Sequence, residues 1–147
     1  MLGRTHLLVG LLLGGLLGLL FANTPLLFAG IVFFCALGSL FPDIDSSTSL
    51  LGRKIKIIGF LFKHRGLFHS IFMLAVFAII FGELISWTIG WSFALGFASH
   101  LVLDMLTKEG LTIFPLGIHI RGPVKVGGFL EHVLVLLLLA VFILLLF

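Results

Sequence analysis

His100 and Asp104 stand four residues apart in Ser99-His100-Leu101-Val102-Leu103-Asp104, a spacing that puts both side chains on one face of a helix. An imidazole nitrogen and a carboxylate oxygen form a ligand pair for a divalent cation, and an aspartate among leucines and valines needs such a counter-charge. A His–Asp hydrogen bond between helices is the simpler use of the same pair. Two more carboxylates follow a proline in Pro42-Asp43-Ile44-Asp45, where a tight turn offers oxygens to a cation or caps a helix. In Lys63-His64-Arg65-Gly66-Leu67-Phe68-His69-Ser70 the two histidines are five apart and do not share a helix face. His69 is expected on a helix and His64 on the loop before it, with Gly66 as the bend. Arg65 suits a bidentate contact to a phosphate oxygen, or a basic anchor beside a membrane. His6 opens the first apolar run; Glu131 and His132 open the last, after Gly127-Gly128. Together His6, Asp43, Asp45, His64, His69, His100, Asp104 and Glu131 form a mixed nitrogen and oxygen inventory. It suits zinc, with manganese as the alternative, and is large enough for one or two ions. His119 has no evident partner and reads as loop.

The elements that must carry these residues are membrane spans. The chain has 147 residues, 61% hydrophobic and 10% charged, with a mean hydropathy of +1.34. A soluble domain is about half apolar and a quarter charged. This composition excludes a disordered chain, a soluble enzyme and a secreted disulfide scaffold. It predicts an all-α integral membrane protein, one domain over 1–147 with about five transmembrane helices in one bundle, each needing roughly 20 residues. The expected spans are about 5–22, 25–41, 68–87, 90–106 and 129–147. Pro25 suits the first turn of the second. The first run imitates a signal peptide but lacks a clear small-x-small cleavage site, and it reads as an uncleaved span. Residues 42–66 read as a loop with a short interfacial amphipathic segment, Trp87–Trp91 as a turn at the membrane boundary, and 107–128 as a polar loop. Cys35 reads as a small buried hydrophobe. Gly10, Gly14 and Gly18 form a small-residue stripe that would pack against a neighbouring helix of this or another chain.

Five spans place the 42–66 and 107–128 segments on the same side as the first residues. All nine Lys/Arg fall on that side, and of the Asp, Glu and His residues only Glu83 does not. The positive-inside rule makes that side cytoplasmic, with the N-terminus inside and the C-terminus outside a prokaryotic inner membrane. A basic excess of this kind reflects topology; nothing in the chain resembles a nucleic-acid module.

Taken jointly and in order, Thr5-His6, Pro42-Asp43-Ile44-Asp45, His64-Arg65-Gly66-Leu67-Phe68-His69-Ser70, Ser99-His100 through Asp104-Met105-Leu106-Thr107, and Gly128-Phe129-Leu130-Glu131 resemble the YdjM-like family. These are inner-membrane proteins described as predicted metal-dependent hydrolases. One departure is visible: the family usually has Thr before the second histidine of the His-Arg-Gly motif, where this chain has Phe68. The resemblance implies a membrane-embedded hydrolase with metal ligands at the matching His and Asp positions. More distantly, the order of ligands is similar to the zinc-dependent phospholipase C and P1 nuclease group, which cleaves phosphoesters.

The expectation is therefore a hydrolase that cleaves a phosphoester of a phospholipid or lipid-linked substrate at the cytoplasmic leaflet with a metal-activated water. The metal ligands would be His6, Asp43, Asp45, His69, His100 and Asp104. Glu131 or Asp43 would be the base, His64 the acid for the leaving group, and Arg65 the residue that holds the substrate anion. The alternatives are a metal-binding or transport protein without turnover, and a structural or regulatory protein whose basic 53–65 segment binds anionic lipid or a partner. The single ionisable group in the outer half, Glu83, argues against a polar path across the membrane.

Overall fold

The computed structural model describes residues 1–46, 49, 67–113 and 117–146. Helix α1 (Gly3–Phe21) and helix α2 (Pro25–Leu40) form a tight hairpin. Thr24 starts α2 by accepting a hydrogen bond from Leu27 N at 3.2 Å, and Pro25 sits at the first helical position, where no N–H is missed. A 3₁₀ turn, Phe41–Asp45, continues α2, and a second one, Leu67–His69, leads into helix α3 (Ile71–Leu84). Ser70 caps α3 and Ser86 caps helix α4 (Trp87–Met105), each by accepting a backbone N–H in the first turn.

The Ser86 cap moves one expected boundary. The break between the third and fourth spans falls at Ile85-Ser86, not at Trp87–Trp91. Both tryptophans lie in the first turns of α4, exposed at its end. A capping hydroxyl at Ser86 decides the start, whereas glycine at position 90 is used for close packing.

The segment after α4 corrects the all-α expectation. Strands β1 (Leu111–Ile113) and β2 (Ile118–Ile120) pair antiparallel, with Leu111 opposite Ile120. Thr107 anchors this hairpin to α4: its hydroxyl donates to Asp104 O at 2.8 Å and accepts from Gly110 N at 3.2 Å. Val124 N bonds Leu106 O, and Lys108 N bonds Val124 O. Helix α5 (Phe129–Leu146) closes the fold.

Helix α4 is the centre, packed on α2 and α3 and touching α1; α5 lies along α1. Close approach depends on glycine. A Cβ on Gly96 would lie 1.9 Å from Cys35 O, and one on Gly38 would lie 2.2 Å from Phe93 O, so α2 and α4 meet backbone to backbone. The glycine stripe of α1 faces α2 of the same chain, Gly10 against Ser39 and Gly14 against Val32 and Cys35. Phe93, Phe97, Leu101 and Leu111 form the apolar core, wrapped by Phe34, Phe41, Phe77 and Phe81.

Polarity is inverted relative to a water-soluble fold. The buried set includes Thr5, His6, Asp45, His69, His100, Asp104 and Glu131, while Leu20, Phe21, Leu26, Leu84, Phe129 and Leu144 are exposed on the outside. An apolar exterior around a polar interior is stable in lipid and not in water. Among the described residues, Gly3–Phe21 and Pro25–Asp45 are long and apolar enough to cross a membrane; α3 and α5 are apolar helices as well, with α3 14 residues long.

Candidate metal centre

Four elements converge at one end of the bundle. His6 comes from the first turns of α1, Asp43 and Asp45 from the 3₁₀ turn after α2, His69 from the 3₁₀ turn before α3, and His100 and Asp104 from the last turns of α4. His100 lies thirteen residues after Trp87, about 20 Å along the helix. The pair therefore lies in the last turns of α4.

His69 Nε2 is 3.6 Å from Asp43 Oδ1 and 3.9 Å from Asp104 Oδ2. His100 Nε2 is 3.7 Å from each of the same two oxygens. Four ligands at 2.0–2.1 Å from a tetrahedral ion stand about 3.3–3.4 Å apart. The four nitrogen-to-oxygen edges, 3.6–3.9 Å, lie within a few tenths of an ångström of that spacing.

The second nitrogen of each imidazole has its own partner. His100 Nδ1 donates to Ser39 O at 2.7 Å, which fixes the tautomer and leaves Nε2 with a lone pair. His69 Nδ1 lies 3.6 Å from Asp45 Oδ2. A carbonyl or carboxylate behind a ligating histidine is what aims the ring at a metal. Asp45 thus sits behind His69 rather than among the converging atoms.

His6 stacks on His100, with ring centroids 3.8 Å apart at 17°, and its Nε2 is 3.3 Å from Asp104 Oδ1. The amino group of Met1 donates to the same oxygen at 2.5 Å. Asp104 therefore presents Oδ1 toward His6 and Oδ2 toward His69 and His100. His6, His69, His100, Asp45 and Asp104 are all at most 2% exposed, and Asp43, with an 18% exposed side chain, is where the cluster meets the outside.

The donor set fits a divalent cation. Two groups have ligating atoms within 4.8 Å of one another: His6, His100 and Asp104, and Asp43, His69 and His100. His6 Nδ1 and His100 Nε2 are buried without a hydrogen-bond partner. Such atoms are costly in a dry interior unless something accepts their lone pairs. Three carboxylates gathered in the same place supply the negative charge that a cation would offset.

Glu131 is placed elsewhere. Its Oε1 accepts from Leu2 N at 2.8 Å and Thr5 Oγ1 at 2.5 Å, and its Oε2 from Gly127 N at 2.7 Å. Gly127 has φ +69, a left-handed conformation that glycine adopts freely and that turns its N–H toward the carboxylate. The glutamate ties the start of α1 to the start of α5. His64 and Arg65, with the basic residues at 53, 54, 56 and 63, lie outside the described residues. His119 is on β2, exposed, its Nδ1 3.0 Å from Thr112 Oγ1, and His132 is exposed at the start of α5. Sequence reasoning missed Ser39, which acts through its backbone carbonyl and so carries no residue signature. It also missed the tie from Thr5, for which adjacency to His6 was the available signal.

The family model described as YdjM inner membrane protein matches residues 1–147. The uncharacterized protein YvsG of Bacillus subtilis is 34% identical over 140 residues, covering 90% of this chain and 86% of that protein. The inner membrane protein YdjM of Escherichia coli is 36% identical over 120 residues, covering 70% of this chain, which spans 60% of that protein's length. The Shigella flexneri protein of the same name matches equally. No solved structure matches this chain.

Proposed function

This chain belongs to the YdjM family of inner membrane proteins, and on that premise we propose that it is a membrane-embedded, metal-dependent hydrolase. The observation that carries the reading is the convergence of His69 Nε2, Asp43 Oδ1, His100 Nε2 and Asp104 Oδ2, with edges of 3.6–3.9 Å. These four residues would hold one divalent ion, zinc by the balance of imidazole and carboxylate or manganese as the alternative, and His6 with Asp104 Oδ1 would border a second. When bound, the ion supplies Lewis acidity toward a phosphoryl oxygen and makes a water acidic.

The chain's own residues do the rest. Ser39 O and Asp45 orient the two imidazoles, and Glu131 holds the α1 end that carries His6. Asp43, in the cluster and with an 18% exposed side chain, is the carboxylate placed to take a proton from water at the mouth. In the proposed topology α1, α2, α3, α4 and α5 are five spans, and the ends that carry His6, Asp43, His69 and Asp104 face the cytoplasm, as do all nine Lys/Arg. The substrate class that matches this position is a phospholipid or lipid-linked phosphoester. His64 and Arg65 remain the candidates for leaving-group acid and anion contact.

The test is metal content. The full chain, purified in mild detergent, should carry one or two equivalents of zinc or manganese, and His100→Ala or Asp104→Ala should lose them while still inserting. A lipid-phosphoester hydrolysis screen then follows with that metal. No metal after supplementation, or full turnover in either variant, would overturn the proposal.

A further inference from the structure

Helices α1 and α5 enclose a groove that the metal centre does not use. Its volume is about 420 Å³, inside the range of ligand pockets, about 300–1,000 Å³. Leu8, Val135 and Leu136 form its apolar length, and Arg4, Thr5 and His132 stand at its mouth. Arg4 and Leu8 are one turn apart on α1, as are His132 and Leu136 on α5, so each wall is polar at the same end and apolar below it. His6 faces the other side of α1, toward His100. The groove and the metal cluster are thus separated by the helix wall.

The mouth is built for an anion. Arg4 is exposed and has no ion pair or hydrogen bond among the described residues. His132 Nδ1 donates to Gly128 O at 2.9 Å, so the neutral ring's other nitrogen carries a lone pair that can accept from a hydroxyl. Both α1 and α5 begin at this end, and helix N-termini favour negative charge. Glu131 also lines the groove, but its carboxylate is buried and already accepts three hydrogen bonds, from Leu2, Thr5 and Gly127. A charged, hydrogen-bond-donating mouth over an apolar trough matches an amphiphile, with phosphate above and hydrocarbon below.

We propose that the α1–α5 groove is a binding site for an anionic phospholipid, its phosphate held at Arg4, a headgroup hydroxyl donating to His132, and one acyl chain lying along Leu8, Val135 and Leu136. The site rests on membrane placement alone and is independent of the hydrolase reading.

The experiment is native mass spectrometry of the full chain in mild detergent, titrated with phosphatidylglycerol and, separately, with phosphatidylcholine of the same chain length. One phosphatidylglycerol should be retained per chain, in preference to phosphatidylcholine. Arg4→Gln should weaken that retention by about fivefold and erase the headgroup preference, the scale expected for one basic residue at an anionic membrane surface. Leu8→Trp, which fills the trough, should lose both lipids, whereas Leu20→Trp on the outer surface should lose neither. Equal retention of the two lipids, or unchanged preference in Arg4→Gln, overturns the site. So does a dimer whose formation excludes lipid, which would make the groove a protein interface. Should Leu8→Trp fail to elute as a folded species, Arg4→Gln decides alone, because it alters only an exposed side chain.

Discussion

Asp45 and Asp43 are two residues apart and do different things. Asp43 shares space with His69 Nε2 and His100 Nε2, whereas Asp45 Oδ2 stands 3.6 Å behind His69 Nδ1. Losing a carboxylate behind a ligating histidine commonly costs 10–100-fold in metal affinity. Asp45→Asn should therefore lower metal affinity by about that factor with helix content unchanged, read by chelator competition and circular dichroism. Asp43→Asn should cost more, because in the proposed centre it removes a ligand. Equal losses would mean that both oxygens bind directly. The residue types and their spacing were legible in the chain from the start. Which nitrogen each carboxylate faces was not, because it depends on which oxygen a 3₁₀ turn presents to which nitrogen.

Two elements carry sharper tests. Gly96 lets α4 meet α2 at Cys35 O, and an added methyl there would collide with backbone, not with a side chain that can swing away. Gly96→Ala should destabilise the protein by about 1–3 kcal/mol, and since His100 is one turn on, metal should be lost with it. Gly15→Ala is the control: its nearest neighbour would be the ring of Phe142 at 3.4 Å, an ordinary contact. Thermal unfolding in detergent should separate the two variants. Glu131 supplies the second test. Glu131→Ala strips acceptors from Leu2 N, Thr5 Oγ1 and Gly127 N, and a buried donor left without a partner costs about 1–3 kcal/mol. The variant should unfold at clearly lower temperature. A loss of turnover with the melting temperature unmoved would restore Glu131 as a base.

At the scale of the whole molecule, the apolar exterior and the one-sided charge distribution make a topology that cysteine labelling can read. In a Cys35→Ala background, Asn23→Cys in the α1–α2 turn should react with a membrane-impermeant maleimide in intact cells. Lys125→Cys should react only after permeabilisation. The reverse pattern would invert the bundle and put the His/Asp cluster on the outer side.

Composition by itself determined that the chain lives in lipid: when most residues are apolar and few are charged, no water-soluble packing can hide enough surface. Apolar runs and capping residues at Thr24, Ser70 and Ser86 likewise determined most helix starts, because a cap is a local interaction among neighbours in the chain. The hairpin at Leu111–Ile120 escaped notice because its strands are three residues each, too short for an alternating pattern to stand out from loop. Only the tertiary structure decided that residues from α1, α4 and the two 3₁₀ turns meet at one point, that Glu131 is a tie between helices, and that a groove opens between α1 and α5. Those outcomes depend on which helix faces lie together, and in a chain that is apolar all round, periodicity does not mark a face. Glycine contacts between backbones mark it instead, and they become visible only when both helices are in place.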